Sequence, residues 1–330
     1  MSGYYRFPTI NKSKVVFVAE DDLWSINIDN PKAYRLTTNI SEVSSPLISP
    51  DGKLIAFIGT EDGNNEVYVM PSNGGAATRL TYDGAFVKGI CAWENNDIIF
   101  STDLQQPFGR VSGLAKINKK GGQTELLNYG IASNIALGGS AVVLGRNTAD
   151  PARWKRYKGG TAGELWISKD KKSKFKKLIS LDGNMACPMW INNRIYFISD
   201  HDGISNIYSC LATGRSLKQH TDHREYYARN ATTDGHKIVY HSGADIYTLD
   251  VKNDTYEKIE IEYNSSFVNR NRKFVSPSNY LEDISVNKDG SMVSYVSRGK
   301  SLCMGTWNGP IYQQGKKDGV RYQKTRFLND

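Results

Sequence analysis

The residues with the most chemistry in them are five histidines, His201, His220, His223, His236 and His241. His220 and His223 form an H-x-x-H pair with Glu225 nearby. Such a set holds a metal only if three ligands converge in one loop. The matching place elsewhere reads Arg-Leu-Thr, at Arg35 to Thr37 and Arg79 to Thr81. A structural or solvent-facing role is therefore expected for both histidines. His201 lies in Asp200-His201-Asp202-Gly203, where Glu61-Asp62-Gly63 stands earlier in the chain. A turn is expected there, because the oxygen-ligand loop that calcium needs is incomplete. The G-x-S-x-G elbow, the H-E-x-x-H zinc motif, the P-loop and the dinucleotide fingerprint are all absent. Spacing alone assembles no Ser-His-Asp set, and no catalytic residue, metal or cofactor is expected within the chain. The four cysteines, Cys91, Cys187, Cys210 and Cys303, form no close pair. They are expected to be reduced thiols in a cytosolic protein.

Binding chemistry is richer than catalytic chemistry. In Asn147 to Ala162 (NTADPARWKRYKGGTA), Trp154, Lys155, Arg156, Tyr157 and Lys158 cluster before Gly159-Gly160. Cations beside aromatics could grip a carboxylate or an extended peptide. The alternative is a loop that folds over its sheet and buries Trp154 and Tyr157. The net charge is +8, from 42 basic and 34 acidic residues. Arg153 to Lys177 carries ten Lys or Arg against Glu164 and Asp170, so the rest of the chain is balanced. Its run Lys169 to Lys177 reads as a solvated hairpin tip, with an acidic-partner patch as the alternative. No aromatic interleaving or nucleic-acid motif accompanies it, and no nucleic-acid partner is expected. No run approaches the roughly 18 apolar residues of a membrane span. The N-terminus has no basic region leading into an apolar stretch, so no membrane association and no secretory signal are expected.

These residues must be positioned by a repeat. The apolar anchors Phe17, Phe57, Phe100, Leu144, Phe197, Tyr240 and Tyr295 are spaced by 40, 43, 44, 53, 43 and 55 residues. Four-stranded propeller blades recur about every 40–50 residues. A turn signal precedes each anchor: Asn11-Lys12, Asp51-Gly52, Asn95-Asn96, Gly138-Gly139, Asn192-Asn193, Asp234-Gly235 and Asp289-Gly290. Third strands carry an apolar-aromatic pair such as Leu23-Trp24, Val67-Tyr68 or Ile207-Tyr208, and fourth strands an Arg-Leu-Thr-like run. Short alternating runs between turns imply antiparallel strands. The fold class expected is all-β, a six-bladed propeller of four-stranded antiparallel blades followed by an incomplete additional blade. Blade one starts with its own first strand, so the ring is expected to close by packing of blade one on blade six, without shared strands.

The domain limits expected are residues 1–262 for the propeller, 263–278 for a polar linker, and 279–330 for a partial first blade of a second propeller. The additional blade reads Leu281 to Val286, Met292 to Val296, Leu302 to Trp307 and Pro310 to Gln314. A further first strand is expected at Val320 to Leu328. One seven-bladed ring with a frayed tail is the competing arrangement. The linker and the extra strand favour a second propeller, and with it a chain that is a piece of a longer protein.

Several stretches are distinctive: Asp21-Asp22-Leu23-Trp24, Ser101-Thr102-Asp103 with Gln106-Pro107-Phe108, Gly145-Arg146-Asn147-Thr148, Trp154-Lys155 through Thr161, Arg194 to Phe197, Tyr226-Tyr227, and Phe274 to Gly299. They resemble the N-terminal propeller of the tricorn protease family and the start of that family's second propeller. The resemblance implies a large cytoplasmic serine peptidase that degrades peptides released by the proteasome and assembles as a homo-hexamer. Its catalytic Ser and His would lie in C-terminal peptidase domains outside this chain. The six-bladed propeller would be noncatalytic, gating or channelling peptides. The family's type member also anchors a substrate's C-terminus through an arginine pair in blade three. Here the matching stretch, Tyr82 to Cys91, offers only Lys88. The candidates for peptide-channel or binding residues are Lys88, Arg146, Trp154, Lys155, Arg156, Tyr157 and Lys158. The alternative function is a stand-alone TolB-like propeller that binds a protein partner.

Overall fold

Alternation of apolar and polar residues around tight turns gives hairpins, and the computed structural model arranges them as sheets of four consecutive antiparallel strands. It describes residues 3–38, 41–148, 155–171, 174–266, 276–317 and 319–328. The chain divides into two units, Met1–Asn264 and Ser265–Asp330.

The first unit holds six blades among the described residues. Blade one is β1 (Arg6–Asn11), β2 (Lys14–Ala19), β3 (Asp22–Asn27) and β4 (Asn30–Arg35). Blade two is β5 (Val43–Ile48), β6 (Leu54–Gly59), β7 (Glu66–Pro71) and β8 (Thr78–Arg79). Blade three is β9 (Val87–Glu94), β10 (Asp97–Thr102), β11 (Gly113–Asn118) and β12 (Glu125–Leu127). Blade four is β13 (Asn134–Gly138), β14 (Ala141–Arg146), β15 (Glu164–Ser168) and β16 (Lys176–Lys177). Blade five is β17 (Met185–Ile191), β18 (Arg194–Ser199), β19 (Asn206–Leu211) and β20 (Lys218–Gln219). Blade six is β21 (Ala228–Thr233), β22 (Lys237–Ser242), β23 (Asp245–Asp250) and β24 (Thr255–Lys258).

The anchors read from the sequence form the core. Phe17, Phe57, Phe100, Leu144, Phe197 and Tyr240 are all 0–1% exposed, each worth about 1.5–3 kcal/mol of burial. In blades two and six the anchor stacks on the third-strand aromatic opposite, Phe57 on Tyr68 and Tyr240 on Tyr247, at 5.7 Å in both. The turns before the anchors place Lys12, Gly52, Asn95, Gly139, Asn192 and Gly235 at positive φ, as tight hairpins require.

The Arg-Leu-Thr run has a partner that spacing does not disclose. Thr37 Oγ1 donates to Asp22 Oδ1 at 2.6 Å and accepts from Leu23 N at 3.0 Å. Thr81 does the same between Glu66 and Val67 N, and Thr221 between Asn206 and Ile207 N. Arg35 and Arg79 pair with the same carboxylates, Asp22 and Glu66. A buried acid or amide at the head of the third strand is thus satisfied by the fourth strand, as buried polar groups must be.

First strands meet around the axis: β1 packs on β5, β5 on β9, β9 on β13, β13 on β17, β17 on β21 and β21 on β1. The ring closes without a shared strand, each sheet keeping its own four. A small clasp adds to the packing. Glu262 forms one parallel bridge with Lys32, its N–H donating to Pro31 O and its C=O accepting from Ala33 N, both at 3.0 Å. Tyr263 follows it into an aromatic pocket, 5.5 Å from Tyr5 and 4.7 Å from Trp24.

The second unit is one four-stranded sheet, β25 (Leu281–Val286), β26 (Met292–Ser297), β27 (Lys300–Gly305) and β28 (Tyr312–Gln314). The strand expected at Val320 to Leu328 does not form. Tyr322 N donates to Gly299 O, while Arg321 and Arg326 reach Glu282 and Asp283. This segment is held by side-chain ion pairs and gains no ladder of its own.

Candidate functional site

Because strands alternate in direction, turns between second and third strands emerge on one side of the ring. The connections to the next blade emerge there too. The insertion of blade four leaves β14 and returns to β15 on this side. Trp154 lies outside the described residues. Arg156 N donates to Asp200 Oδ2 at 2.8 Å, and the other oxygen of that carboxylate accepts from Asn184 N at 2.6 Å. Asp200, expected only to shape a turn, therefore also anchors the insertion to blade five. Lys155 Nζ stands 5.3 Å over the ring of Tyr227, whose hydroxyl donates to Gly203 O at 3.1 Å. Burial pushes the Tyr227 hydroxyl pKa up, Asp200 adds to this, and Arg156 opposes it. Tyr227 directly precedes β21, so the insertion of blade four reaches across blade five to the head of an inner strand of blade six.

The remaining candidates divide. Lys158 pairs with Asp182 at 2.5 Å, both side chains more than half exposed, an arrangement worth little in water. Tyr157 is half-buried, and its hydroxyl accepts from Thr161 Oγ1 at 3.1 Å. Arg146 roots the insertion, its guanidinium 4.4 Å over the Trp166 ring. Its Nε is buried and makes no hydrogen bond among the described residues. Opposite it, burial acts to raise the pKa of Glu164, but hydrogen bonds from Lys177 and Trp166 hold it below the usual range. Lys88 belongs to blade three and donates to Gly109 O, Val111 O and Ser112 Oγ at 2.8, 2.9 and 2.9 Å. Burial lowers its pKa, with Asp103 opposing. All three of its protons tack down a loop. The fold thus brings Lys155 and Arg156 to one mouth of the axis, and Lys88, at the head of β9 on the same side, spends its ammonium on the loop between β10 and β11. Tyr4, Tyr82, Phe86, Phe108 and Tyr226, all exposed, lie on the same side.

One arrangement escaped the sequence. Ser209 Oγ lies 2.7 Å from His220 Nε2, and His220 Nδ1 meets Asp254. This has the atoms of a hydrolase triad, yet Ser209 is 0% exposed and its Oγ already accepts from Arg194 Nε at 2.8 Å. It joins blade five to blade six and admits no substrate. Burial lowers the pKa of His220, against the pull of Asp254. His223 instead meets Tyr240 OH at 3.0 Å, so the two histidines do not converge. No group of three metal-ligating side chains occurs among the described residues. The members of the relay are 11 and 34 residues apart and belong to two blades, and no local pattern marks them.

Residues 2–255 match the family model described as the tricorn protease N-terminal beta propeller domain. A tricorn protease homolog of Saccharolobus solfataricus is 38% identical over 99% of this chain and 31% of its own length. A protein of Sulfurisphaera tokodaii, named as the N-terminal subunit of a tricorn-like protease, is 37% identical over 52% of this chain and 89% of its own. A crystal structure of the tricorn protease superposes with a TM-score of 0.80 at 29% identity, covering 95% of this chain and 31% of that one. The chain spans about a third of the length of the first of these relatives.

Proposed function

The chain belongs to the tricorn protease family through its N-terminal β-propeller, and from that membership we propose that it is a noncatalytic part of a peptidase, passing or gating extended peptides along the ring axis. The observation that carries this reading is the reach of the blade-four insertion. It brings Lys155 over Tyr227 at the head of an inner strand and ties Arg156 to Asp200 beside it, where cations can hold a peptide carboxylate or an acidic side chain. The exposed aromatics on the same side suit contact with a peptide or with another protein. A ring of this kind selects by size, because an unfolded chain can thread an axis that a folded domain cannot enter.

The partner in this reading is the C-terminal peptidase portion of a tricorn-like enzyme, on the same chain or on a second one. The Sulfurisphaera tokodaii relative, named as an N-terminal subunit, supports the second arrangement. The complete enzyme is a cytoplasmic homo-hexamer in this proposal. The experiment pairs this chain with a tricorn-like peptidase portion and follows cleavage of an unstructured peptide and of a folded domain. A Lys155→Ala, Arg156→Ala variant should slow cleavage of peptides with a free C-terminal carboxylate about fivefold and leave amidated peptides unchanged, about 1 kcal/mol of charge-assisted binding. Equal rates for both peptides in both proteins would reject the role of the mouth.

A further inference from the structure

The six inner strands do not offer the same backbone to the axis. In an antiparallel pair, alternate residues point N–H and C=O at the partner, and those between point theirs away. A first strand has a partner on one side only, so the second set forms a free edge. Five of these edges are interrupted. Phe7-Pro8, Ser45-Pro46, Cys187-Pro188 and Asn230-Ala231 each set two residues opposite one, and β9 slips twice. Three of the bulges contain proline, which has no N–H to offer. Phe7, Ser45, Cys187 and Asn230 all adopt positive φ. Two edge groups are already occupied across blades: Thr232 Oγ1 donates to Pro8 O at 3.0 Å, and Ile48 N donates to Thr9 Oγ1 at 3.2 Å.

β13 differs. It pairs with β14 in unbroken register from Asn134 opposite Gly145 to Gly138 opposite Ala141. The two-residue turn makes Gly138 and Ala141 a hydrogen-bonded pair. Asn134, Ala136 and Gly138 therefore turn toward β14. Ile135 and Leu137 keep N–H and C=O on the free edge, in the longest uninterrupted inner run. The neighbouring strands β9 and β17 carry Cys91 and Cys187, both partly exposed, on either side of it.

We propose that the free edge of β13 is a strand-addition site for an extended peptide lying along the axis, while the bulged strands let that peptide pass unpaired. Backbone pairing requires an extended chain and little side-chain identity, so the ligand class is unfolded peptide of broad sequence. The proposal rests on the channel reading above.

The test uses the whole chain and a short fluorescent peptide of alternating threonine and valine. Two further versions are N-methylated at odd or at even residues. Anisotropy gives affinity, and protection of Cys187 from a maleimide reports occupancy of the axis. Strand pairing demands parity: one methylated version should bind about tenfold more weakly and the other within about twofold of the parent. Leu137→Pro removes a free-edge donor without touching the β13–β14 ladder. Once folding is verified by circular dichroism, it should reproduce the tenfold loss for the parent peptide. Loss without parity, or no loss, with Cys187 still protected overturns the β13 site and leaves the channel standing. Failure of every peptide to protect Cys187 overturns both.

Discussion

Blade two of the ring and the sheet of the second unit have the same four-strand order and the same hairpin signals, and differ in what covers them. In β6, five of six residues are buried, and in β26 two of six. Val43, Pro46 and Ile48 of β5 alternate into the core, whereas no residue of β25 is buried. Leu281, Ile284 and Val286 stand about half exposed, and Trp307 is 93% exposed. The comparison separates two things that a repeat encodes. Pairing of strands is local and is achieved by a blade on its own. Burial of its faces is a property of neighbours, as in any stacked array.

The largest effect expected from this contrast lies at the anchors. Phe57→Ala empties a fully enclosed site in the ring and should cost about 3–5 kcal/mol. Tyr295→Ala, at the matching place in β26, should cost about 1 kcal/mol. Denaturant unfolding followed by hydrogen exchange, resolved by unit, measures both, and equal losses would mean that neighbours cover the two sheets alike. The threonine link between third and fourth strands comes next. Thr81→Val strips the hydroxyl that satisfies Glu66 and Val67 N and should destabilise the ring by about 1–3 kcal/mol. No such threonine link joins β27 to β28 among the described residues, so removing the hydroxyl of Ser301 should leave that sheet within about 0.5 kcal/mol of its starting stability.

A third, smaller difference is acid sensitivity. His220 and Asp254 both have pKa values below their ordinary ones. Burial is the main cause for His220; for Asp254, bonds from Lys218 and His220 outweigh burial. A group with a depressed folded pKa stabilises above its unfolded pKa and loses that contribution as pH falls. The blade five–six seam should therefore be fully stable above about pH 6.5 and weaken as pH drops, first through His220 and then below pH 3.8 through Asp254. An Asp254→Asn variant loses the carboxylate that opposes burial of His220, so its unfolding midpoint should fall more steeply below about pH 6.5 and lose the further fall below pH 3.8. The smallest effect belongs to the second unit. Arg326→Ala breaks an exposed pair with Asp283 that salt already screens. No resolvable change in the midpoint is expected at physiological ionic strength.

Much of this was legible in the sequence, because a hairpin writes itself locally: the anchors, the turns and the Arg-Leu-Thr runs all stand where the blades put them. What escaped was long-range or irregular. Pro8, Pro46 and Pro188 were the visible signal of the inner bulges, since proline within a strand marks an edge or a bulge. The Ser209–His220–Asp254 relay and the contact of Lys155 with Tyr227 join different blades, where spacing carries no information. Val320 to Leu328 alternates enough to read as a strand, but forms no ladder and is held by its arginines instead.

The clasp at Glu262 has a mechanical meaning. A tensile load applied to the chain beyond Asn264 falls first on Tyr263 in its aromatic seat and then on the two backbone bonds of Glu262 to Pro31 and Ala33. No hairpin has to tear before those yield. Resistance to that load is governed first by the barrier at this clasp, whatever the stability of the ring as a whole, and the outer strand β24, next along the chain, is loaded only after the clasp has yielded.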